Sequence, residues 1–317
     1  MANIFFQGAV LSMSSGSEGT SIAPLDRIQN VGMGFQIPRT NISVLGKFKP
    51  LKDRPVINFT PIQFSFDFIK SSKTIESNLG LLNSTGVGIN LANSESVEGF
   101  GLRNFEVALA PTVSTSYANK YTFSSGCLLS YGIQGSVGDP VRGSVSFECL
   151  DMSHQAENSS KVAQDYSGEL IKSENISISG INFSGLGISG LIVQSFSLNF
   201  NVNRSATFRL GSKYPERPIT DIGANLQING FLEGINTSFT GLSRYDCGSP
   251  LTGSYYLTLL PSCSSEIATT YKLTNPYLES QSTSIAVGNF ASVDLSFSCP
   301  ISIVSSETLD GPNLTIT

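Results

Sequence analysis

The chain has no tryptophan and one histidine, and only 14% of its 317 residues are charged. Nucleophilic catalysis by a Ser-His-Asp or Cys-His arrangement needs a histidine that the scaffold holds in place. The single histidine, His154, stands in the polar stretch SHQAENSSKVAQDYSGELIK, which is typical of a linker. Zinc sites use several His and Cys residues at short spacing, and no such group occurs in the sequence. We therefore expect no enzyme, no metal and no cofactor.

The five cysteines do not form the framework of a disulfide-rich protein, because their number is odd and none are spaced as C-x-x-C. Cys149 and Cys299 fall in strand-like runs, which favours buried small apolar side chains. No apolar segment approaches the roughly 18 residues of a transmembrane helix, and the N-terminal run has no basic start of the kind that signal peptides have. We expect no membrane contact and synthesis in a reducing cytoplasm.

Alternation of apolar and polar residues is the main structural signal. IQFSFDF from Ile62 and FSLNFNVNR from Phe196 both have period two, which predicts strands with one buried and one wet face. Ser, Thr, Asn and Gly are abundant, and 40% of the residues are hydrophobic. This combination predicts an all-β fold, mainly an antiparallel β-sandwich or barrel. The net charge of −5 argues against tight nucleic-acid binding.

One phrase occurs twice, as LGKFKPLKDRPV at 45–56 and as LGSKYPERPI at 210–219. Similar residues continue on both sides of it, at separations of 172, 165, 163 and 150 in chain order. A separation that only decreases is expected of two homologous domains, the second of which has lost loop residues.

The repeat predicts two tandem domains with defined limits. These are copy 1 at 1–152, a polar linker or short helix at 153–172, copy 2 at 173–302, and an extended tail at 303–317. Each copy has room for one helix. The best candidate in the first is SSKTIESNLGLL from Ser71, whereas its counterpart around EGINTSFTGLS is much less helical.

Arginines and glycines occupy equivalent places in both copies. Solvated charge is one interpretation of the arginines, and the alternative is a structural ion pair or a contact between subunits. A Leu-Gly turn before each Arg-Pro supports a fixed loop geometry, since Gly tolerates positive φ and Pro restricts its own. The candidate assembly and loop residues are Arg39, Gly46, Arg54, Arg204, Gly211 and Arg217.

The two stretches FQIPRTNISVLGKFKPLKDRPVINFTPIQFSFDF and FSLNFNVNRSATFRLGSKYPERPITDIGANLQINGFLEG resemble the major tail (tail tube) proteins of long-tailed bacteriophages. The shared pattern is a strand ending in a polar or Arg-containing turn, a Leu-Gly loop with aromatic and Pro residues, and a returning strand. The resemblance covers most of both copies.

The resemblance implies a β-sandwich or barrel-like domain, six of which close a ring that stacks into a hollow tube. With two domains per chain, it implies a trimeric ring with pseudo-sixfold symmetry. The partners would be other copies of the chain and the tape measure, terminator and baseplate or tip proteins. DNA would pass through the lumen without specific binding, and the protein would reside in the virion tail after assembly in the host cytoplasm. Asp67 and Glu233 are the lumen candidates, because both project from strand segments.

Two alternatives stay open. A tail terminator or distal tail ring protein has the same fold but usually forms a single ring. A β-sandwich adhesin or carbohydrate-binding module is favoured less, because such a module needs an aromatic platform and the chain has no Trp.

Overall fold

A computed structural model provides the structure of the chain. It describes residues 9–15, 23–37, 39, 60–82, 102–109, 119–156, 170–186, 188–212, 214–235, 253–261, 269–285, 290–301 and 313–317. Across these ranges no helix is long and apolar enough to span a membrane.

The described residues form sixteen strands, all paired antiparallel, and one α-helix. The prediction of an all-β fold is confirmed. The strands of the N-terminal half are β1 (Ala9–Ser15), β2 (Ala23–Pro24), β3 (Ile28–Gly34), β4 (Ile62–Ile69), β5 (Arg103–Leu109), β6 (Asn119–Ser136), β7 (Arg142–Cys149) and β8 (Asp151–Ala156), with helix α1 (Thr74–Leu79) between β4 and β5. Those of the C-terminal half are β9 (Ile176–Ser179), β10 (Ile188–Arg204), β11 (Ile219–Ile235), β12 (Ser254–Leu259), β13 (Thr269–Thr274), β14 (Tyr277–Ser284), β15 (Ser292–Pro300) and β16 (Asn313–Ile316).

The period-two pattern decides which face of each strand is buried. In β4, Phe64, Phe66 and Phe68 are buried, whereas the intervening side chains are exposed. Successive side chains of a strand point to opposite faces, so alternate apolar residues form one continuous apolar surface.

Helix α1 lies within the predicted segment 71–82 and is shorter than that segment. It ends at Gly80, whose φ of 74° is in the left-handed region that favours glycine. Ile75 and Leu79 are buried on its inner side. Of the weaker helix candidate in the second copy, 233–235 belong to β11 and the rest lies outside the described residues.

A long sheet of eight strands crosses the molecule in the order β3-β4-β7-β6-β10-β11-β15-β14, and this is here called the eight-strand sheet. Strand β6 contributes its C-terminal part, 127–136, to that sheet. Its N-terminal part, 119–126, pairs with β5 and β8 instead. A strand that changes sheet in this way forms a corner between two packed layers.

Two smaller sheets cover the apolar face of the eight-strand sheet. The first covering sheet has the order β2-β1-β5-β6-β8, and the second has the order β9-β12-β13-β16. Phe105 of β5 packs against Phe64 and Phe147 at ring-centroid distances of 4.6 Å in each case. Tyr255 of β12 packs against Phe297 of β15 at 5.2 Å. Aromatic side chains therefore fill both cores between the layers.

The two halves have the same strand order and the same register. We call β1–β8 with α1 the N-terminal unit and β9–β16 the C-terminal unit. In the N-terminal unit Phe64 lies opposite Phe147, and in the C-terminal unit Leu226 lies opposite Phe297, which is 297 − 147 = 150 positions later. The order β3-β4-β7-β6 is thus matched by β10-β11-β15-β14.

Irregular positions repeat as well. The pairing of β6 with β7 shifts between Leu128 and Ser130, and that of β14 with β15 shifts between Leu278 and Ser280, again 278 − 128 = 150 residues apart. Ser125, inside β6, has φ 54°, and Asn275, between β13 and β14, has φ 46°. Both stand where the chain leaves a covering sheet for the eight-strand sheet, so the same bend is made twice.

The start of the repeat differs from the predicted separation of 172. Ile178 of β9 lies opposite Leu257 as Leu11 of β1 lies opposite Val107, which gives a separation of 178 − 11 = 167. The matching NIFFQG stretch, at 3–8, lies outside the described residues.

The predicted linker and tail both need correction. Strand β8 runs across the predicted boundary at 152 and pairs with β6, so His154 is in a strand and not in a solvated linker. Strand β16, in the predicted tail, pairs with β13 and has Leu314 and Ile316 buried. Strand pairing uses backbone groups, so a polar segment such as β8 joins a sheet without an alternating pattern.

Candidate functional site

The junction between the two units is an ordinary antiparallel strand pair, β6 with β10. Leu198 lies opposite Ile133 and Phe200 opposite Tyr131, and all four side chains are buried. The eight-strand sheet therefore runs from one unit into the other without interruption.

The outer edges of this sheet are β3 and β14, and in the described part of the chain neither has a second neighbouring strand. Met33 and Phe35 at the β3 edge are 43% and 57% exposed, whereas their counterparts Leu198 and Phe200, 165 residues later (198 − 33 and 200 − 35), are each 1% exposed. At the other edge Ile285 is 71% exposed. Apolar side chains that are covered at the internal junction are thus uncovered at both ends.

Two arginines of the C-terminal unit cross the internal junction. Arg217 is fully buried and donates from Nη1 to the backbone oxygen of Glu148, at 2.6 Å, and from Nη2 to that of Ser125, at 3.0 Å. Arg204 donates to the backbone oxygens of Leu128, at 3.2 Å, and of Arg217, at 3.0 Å. These guanidinium groups bind unit to unit and are not solvated charges.

Burial around these arginines shifts two acids of β7. It raises the pKa of Glu148, an effect that Arg217 and Arg204 oppose. It also raises the pKa of Cys149 to about 12. Cys149 and Cys299 are buried, as the sequence predicted.

The N-terminal counterparts are only partly described. Arg39, 165 residues before Arg204 (204 − 39), is exposed near the free β3 edge. Gly46 and Arg54 lie outside the described residues. Gly211 lies in an exposed loop with φ 85°, a conformation in which a side chain is strained. The loop is closed by a bridge between Thr207 and Glu216, and it leaves Leu210 fully exposed.

A second set of residues at the junction is buried and polar. Lys70 forms an ion pair with Glu76 of α1, and both side chains are fully buried. The same carboxylate accepts hydrogen bonds from the hydroxyl of Tyr131 and, at 3.0 Å, from that of Tyr271, and the two hydroxyls lie 2.8 Å apart. Burial lowers the pKa of Lys70, against the effect of Glu76, and raises the pKa values of both tyrosines. We call these four residues the junction cluster.

Sequence reasoning missed the junction cluster. Its members come from α1, from the segment before it, and from two strands that are 140 residues apart (271 − 131). Lys70 and Glu76 stand in a polar-looking segment, and no spacing or motif marks them.

The face of the eight-strand sheet opposite the core is polar. Asp67 of β4 is exposed there and lies opposite Ser144, and its carboxylate accepts a hydrogen bond of 3.4 Å from Asn30. At the matching pair in the C-terminal unit, Asn229 lies opposite Asp294 and donates a hydrogen bond of 2.5 Å to it. Each unit thus has one carboxylate at the same cross-strand pair, on β4 in one and on β15 in the other.

The two lumen candidates therefore differ in position. Asp67 lies in the middle of the polar face, whereas Glu233 lies near the far end of β11, close to Gly190. Asn229, not Glu233, corresponds to Asp67. Sequence comparison missed Asp294 because the carboxylate moves to the neighbouring strand between the units.

Chemistry of a catalytic or metal-binding kind has little to use in the described ranges. They contain no group of three or more His, Cys, Asp or Glu residues placed to hold a metal ion. His154 stacks beside Tyr121 at a ring-centroid distance of 4.8 Å and hydrogen-bonds Asn119 at 3.1 Å.

No protein-family model matches the chain, and no curated protein matches it either. Function is therefore inferred from the strand edges, the junction and the polar face.

Proposed function

We propose that this chain is a structural subunit of a bacteriophage tail tube, which assembles head to tail through its two free strand edges. The observation that carries the proposal is the match between the internal junction and the open edges. Strands β6 and β10 pair inside the chain, and their counterparts β14 and β3 are the edge strands. A second copy can repeat at the edges the step that the chain already makes internally.

The internal register predicts the register between chains. Leu198 pairs with Ile133, and their counterparts are Met33 (198 − 165) and Thr283 (133 + 150). Strand β14 of one chain would lie antiparallel to β3 of the next, with these two residues opposite each other. Pairing would satisfy the free backbone groups of both edges and cover Met33 and Phe35.

The matching units support a tandem duplication, and the resemblance to tail tube proteins supports the size of the ring. A head-to-tail contact closes into a ring when its rotation divides a full turn. With two units per chain, three chains give six units, so we propose a trimeric ring with pseudo-sixfold symmetry that stacks into a tube.

The polar face of the eight-strand sheet suits the lumen of such a tube. It carries Asp67, Asp294 and many short amide and hydroxyl side chains. Carboxylates repel the phosphates of DNA, so a duplex can slide through without adhering. The exposed Gly211 loop is a candidate for contacts between stacked rings.

Ring formation is tested by negative-stain electron microscopy with end-on class averages, together with native mass spectrometry. The expected result is hollow six-lobed rings or tubes that contain three chains per ring. A chain that stays monomeric at every concentration, with the purified terminator and tip proteins present or absent, would contradict the proposal.

The register is tested by disulfide cross-linking of Met33→Cys with Thr283→Cys. Residues opposite each other in a strand pair have Cα atoms about 4.5 to 5.5 Å apart, which a disulfide can bridge. We expect covalent dimers and trimers under mild oxidation. The matched control is Met33→Cys with Gln281→Cys, which is two residues out of register and should cross-link much less.

Phe35→Asp tests the apolar part of the same edge. A charge placed there should prevent ring closure without unfolding the single chain, because Phe35 is exposed in it. Leu210→Asp is the matched control, since it changes an exposed apolar residue away from both edges and should leave the ring of three chains intact.

A tail terminator or distal tail ring protein is the second candidate, because the same edges would also serve a single ring. Polymerisation separates the two. A tail tube protein extends into tubes of many rings, whereas the alternative stops at one.

A further inference from the structure

The second covering sheet overhangs the internal junction. Tyr271 of β13 is fully buried because its hydroxyl reaches across to Tyr131 and Glu76 of the N-terminal unit. Ile316, directly opposite it on β16, is only 1% exposed. These two side chains lie on the apolar face of that sheet and are covered from the neighbouring unit.

The corresponding residues of the first covering sheet are Tyr121 and His154. Tyr121 precedes Tyr271 by 271 − 121 = 150 residues, and it lies opposite His154 just as Tyr271 lies opposite Ile316. They share a face with Phe123, which is fully buried in the core against Phe64. Yet Tyr121 is only half-buried and His154 is exposed.

The difference in burial has a simple geometric origin. The C-terminal unit has a unit on that side, and the N-terminal unit has an open β3 edge there. The residue of β14 that corresponds to Tyr131 is Gln281, since 131 + 150 = 281 and both lie opposite the matching residues Val145 and Leu295.

We infer that Tyr121 and His154 form a second contact between chains, which rests on the proposed ring. They cover β14 of the neighbouring copy from above, with Gln281 of that copy beneath Tyr121. Strand β14 thus enters a groove between the β3 edge and this overhang. His154 is exposed in the single chain and becomes buried when the ring closes.

This contact differs chemically from the internal one. Within the chain the overhanging tyrosine meets a buried carboxylate and a second tyrosine. Between chains it meets an amide beside an imidazole. A charged group at position 154 would have to be desolvated during closure without a partner of opposite charge, which disfavours assembly.

Carbethoxylation of histidine by diethyl pyrocarbonate tests the inference, because His154 is the single histidine of the chain. Peptide mass spectrometry after timed reaction measures its rate in the unassembled chain and in isolated rings. We expect the rate to fall by roughly tenfold or more in rings, since a buried group reacts only after local opening. Ring content is measured on the same samples by native mass spectrometry.

Two variants give a matched pair. His154→Ile copies the buried residue at position 316 and should assemble at least as readily as the parent chain. His154→Asp should assemble poorly, while the melting temperature of its unassembled chain stays unchanged because residue 154 is exposed there.

The outcomes separate this inference from the proposed function. Rings of three chains in which His154 reacts as fast as in the single chain would overturn the overhang contact and leave the tube subunit standing. Normal assembly of His154→Asp would do the same. Failure of the parent chain to form rings would instead overturn the proposed function.

Discussion

The hydroxyl of Tyr271 donates a hydrogen bond of 3.0 Å to the carboxylate of Glu76, a residue 195 positions earlier in the chain. Both groups are buried, and the same carboxylate pairs with Lys70. This contact holds the second covering sheet of one unit against the helix of the other. The stability of the two-unit arrangement therefore depends on a few polar atoms at the junction.

Removing the charge of Glu76 should be strongly destabilising. Glu76→Gln leaves Lys70 buried without its partner, and breaking a buried pair in this way costs about 3 to 5 kcal/mol. Urea denaturation of the unassembled chain measures the loss. Lys70→Met combined with Glu76→Gln should recover most of the lost stability, because no unpaired charge stays buried.

The control for that cycle is Glu174→Gln, which removes an exposed pair with Lys172 at 3.9 Å. Exposed pairs contribute little to stability. A loss for Glu76→Gln no larger than the loss for this control would contradict the junction cluster as a stabilising element.

The tyrosines of the junction cluster should resist ionisation. Burial raises the pKa values of Tyr131 and Tyr271, so the folded state favours the neutral phenols. Their contribution to stability is complete below the ordinary phenol pKa of about 10 and is lost as the pH rises above it. Alkaline titration followed by phenolate absorbance and circular dichroism should show part of the phenolate signal appearing only with unfolding. Tyr271→Phe should reduce that late signal.

Arg217 should tolerate even the conservative change to lysine poorly. Arg217→Lys keeps the charge but loses the forked pair of hydrogen bonds to Glu148 and Ser125, and we expect a loss of about 2 to 4 kcal/mol in the free energy of unfolding. Arg209→Lys is the matched control, since Arg209 is exposed and its pair with Glu216 is on the surface. Equal effects of the two changes, measured by urea denaturation, would argue against a structural role for Arg217.

Cys149 should be inert toward alkylation in the folded chain. With its pKa raised to about 12, its thiol stays protonated near neutral pH, and only the thiolate is an effective nucleophile. Iodoacetamide labelling and peptide mass spectrometry should find Cys149 unmodified in native protein and modified in urea. Ser212→Cys provides an exposed thiol as the positive control. Raising the pH from about 8.5 toward 12 removes the stability that the neutral thiol contributes.

Reversing charge on the polar face should make assembled tubes retain DNA. Asp67→Lys with Asp294→Lys turns two phosphate-repelling groups per chain into phosphate-binding ones, so tubes should bind short duplexes in a salt-dependent way. Co-sedimentation of labelled DNA measures the binding. Asp151→Lys with Glu174→Lys changes the net charge equally, away from that face, and should bind much less. Equal binding by both pairs would show that the polar face does not line the channel.

Local strand structure was largely readable from the sequence. The alternation around Phe64 and around Phe200 predicted buried faces that the structure confirms, and helix α1 falls inside the segment that begins at Ser71. Strands β8 and β16 were missed. The first has too few apolar residues to alternate, and the second is too short to show a pattern.

The site was predictable only in part. Arg204 and Arg217 were selected by their repeated positions, and the structure gives them buried contacts that no spacing could indicate. Lys70 and Glu76 were invisible because their partners are remote in the chain, and Asp294 was hidden by its move to another strand.

The sequence by itself determined which residues alternate between core and surface, since side chains of a strand point to opposite faces whatever the strand pairs with. It also contained the repeated phrases that match the strand registers. Only the tertiary structure decided which strands pair at the internal junction and which stay open at the edges. Backbone groups make those pairs over long separations, so a local pattern of side chains carries no record of the partner.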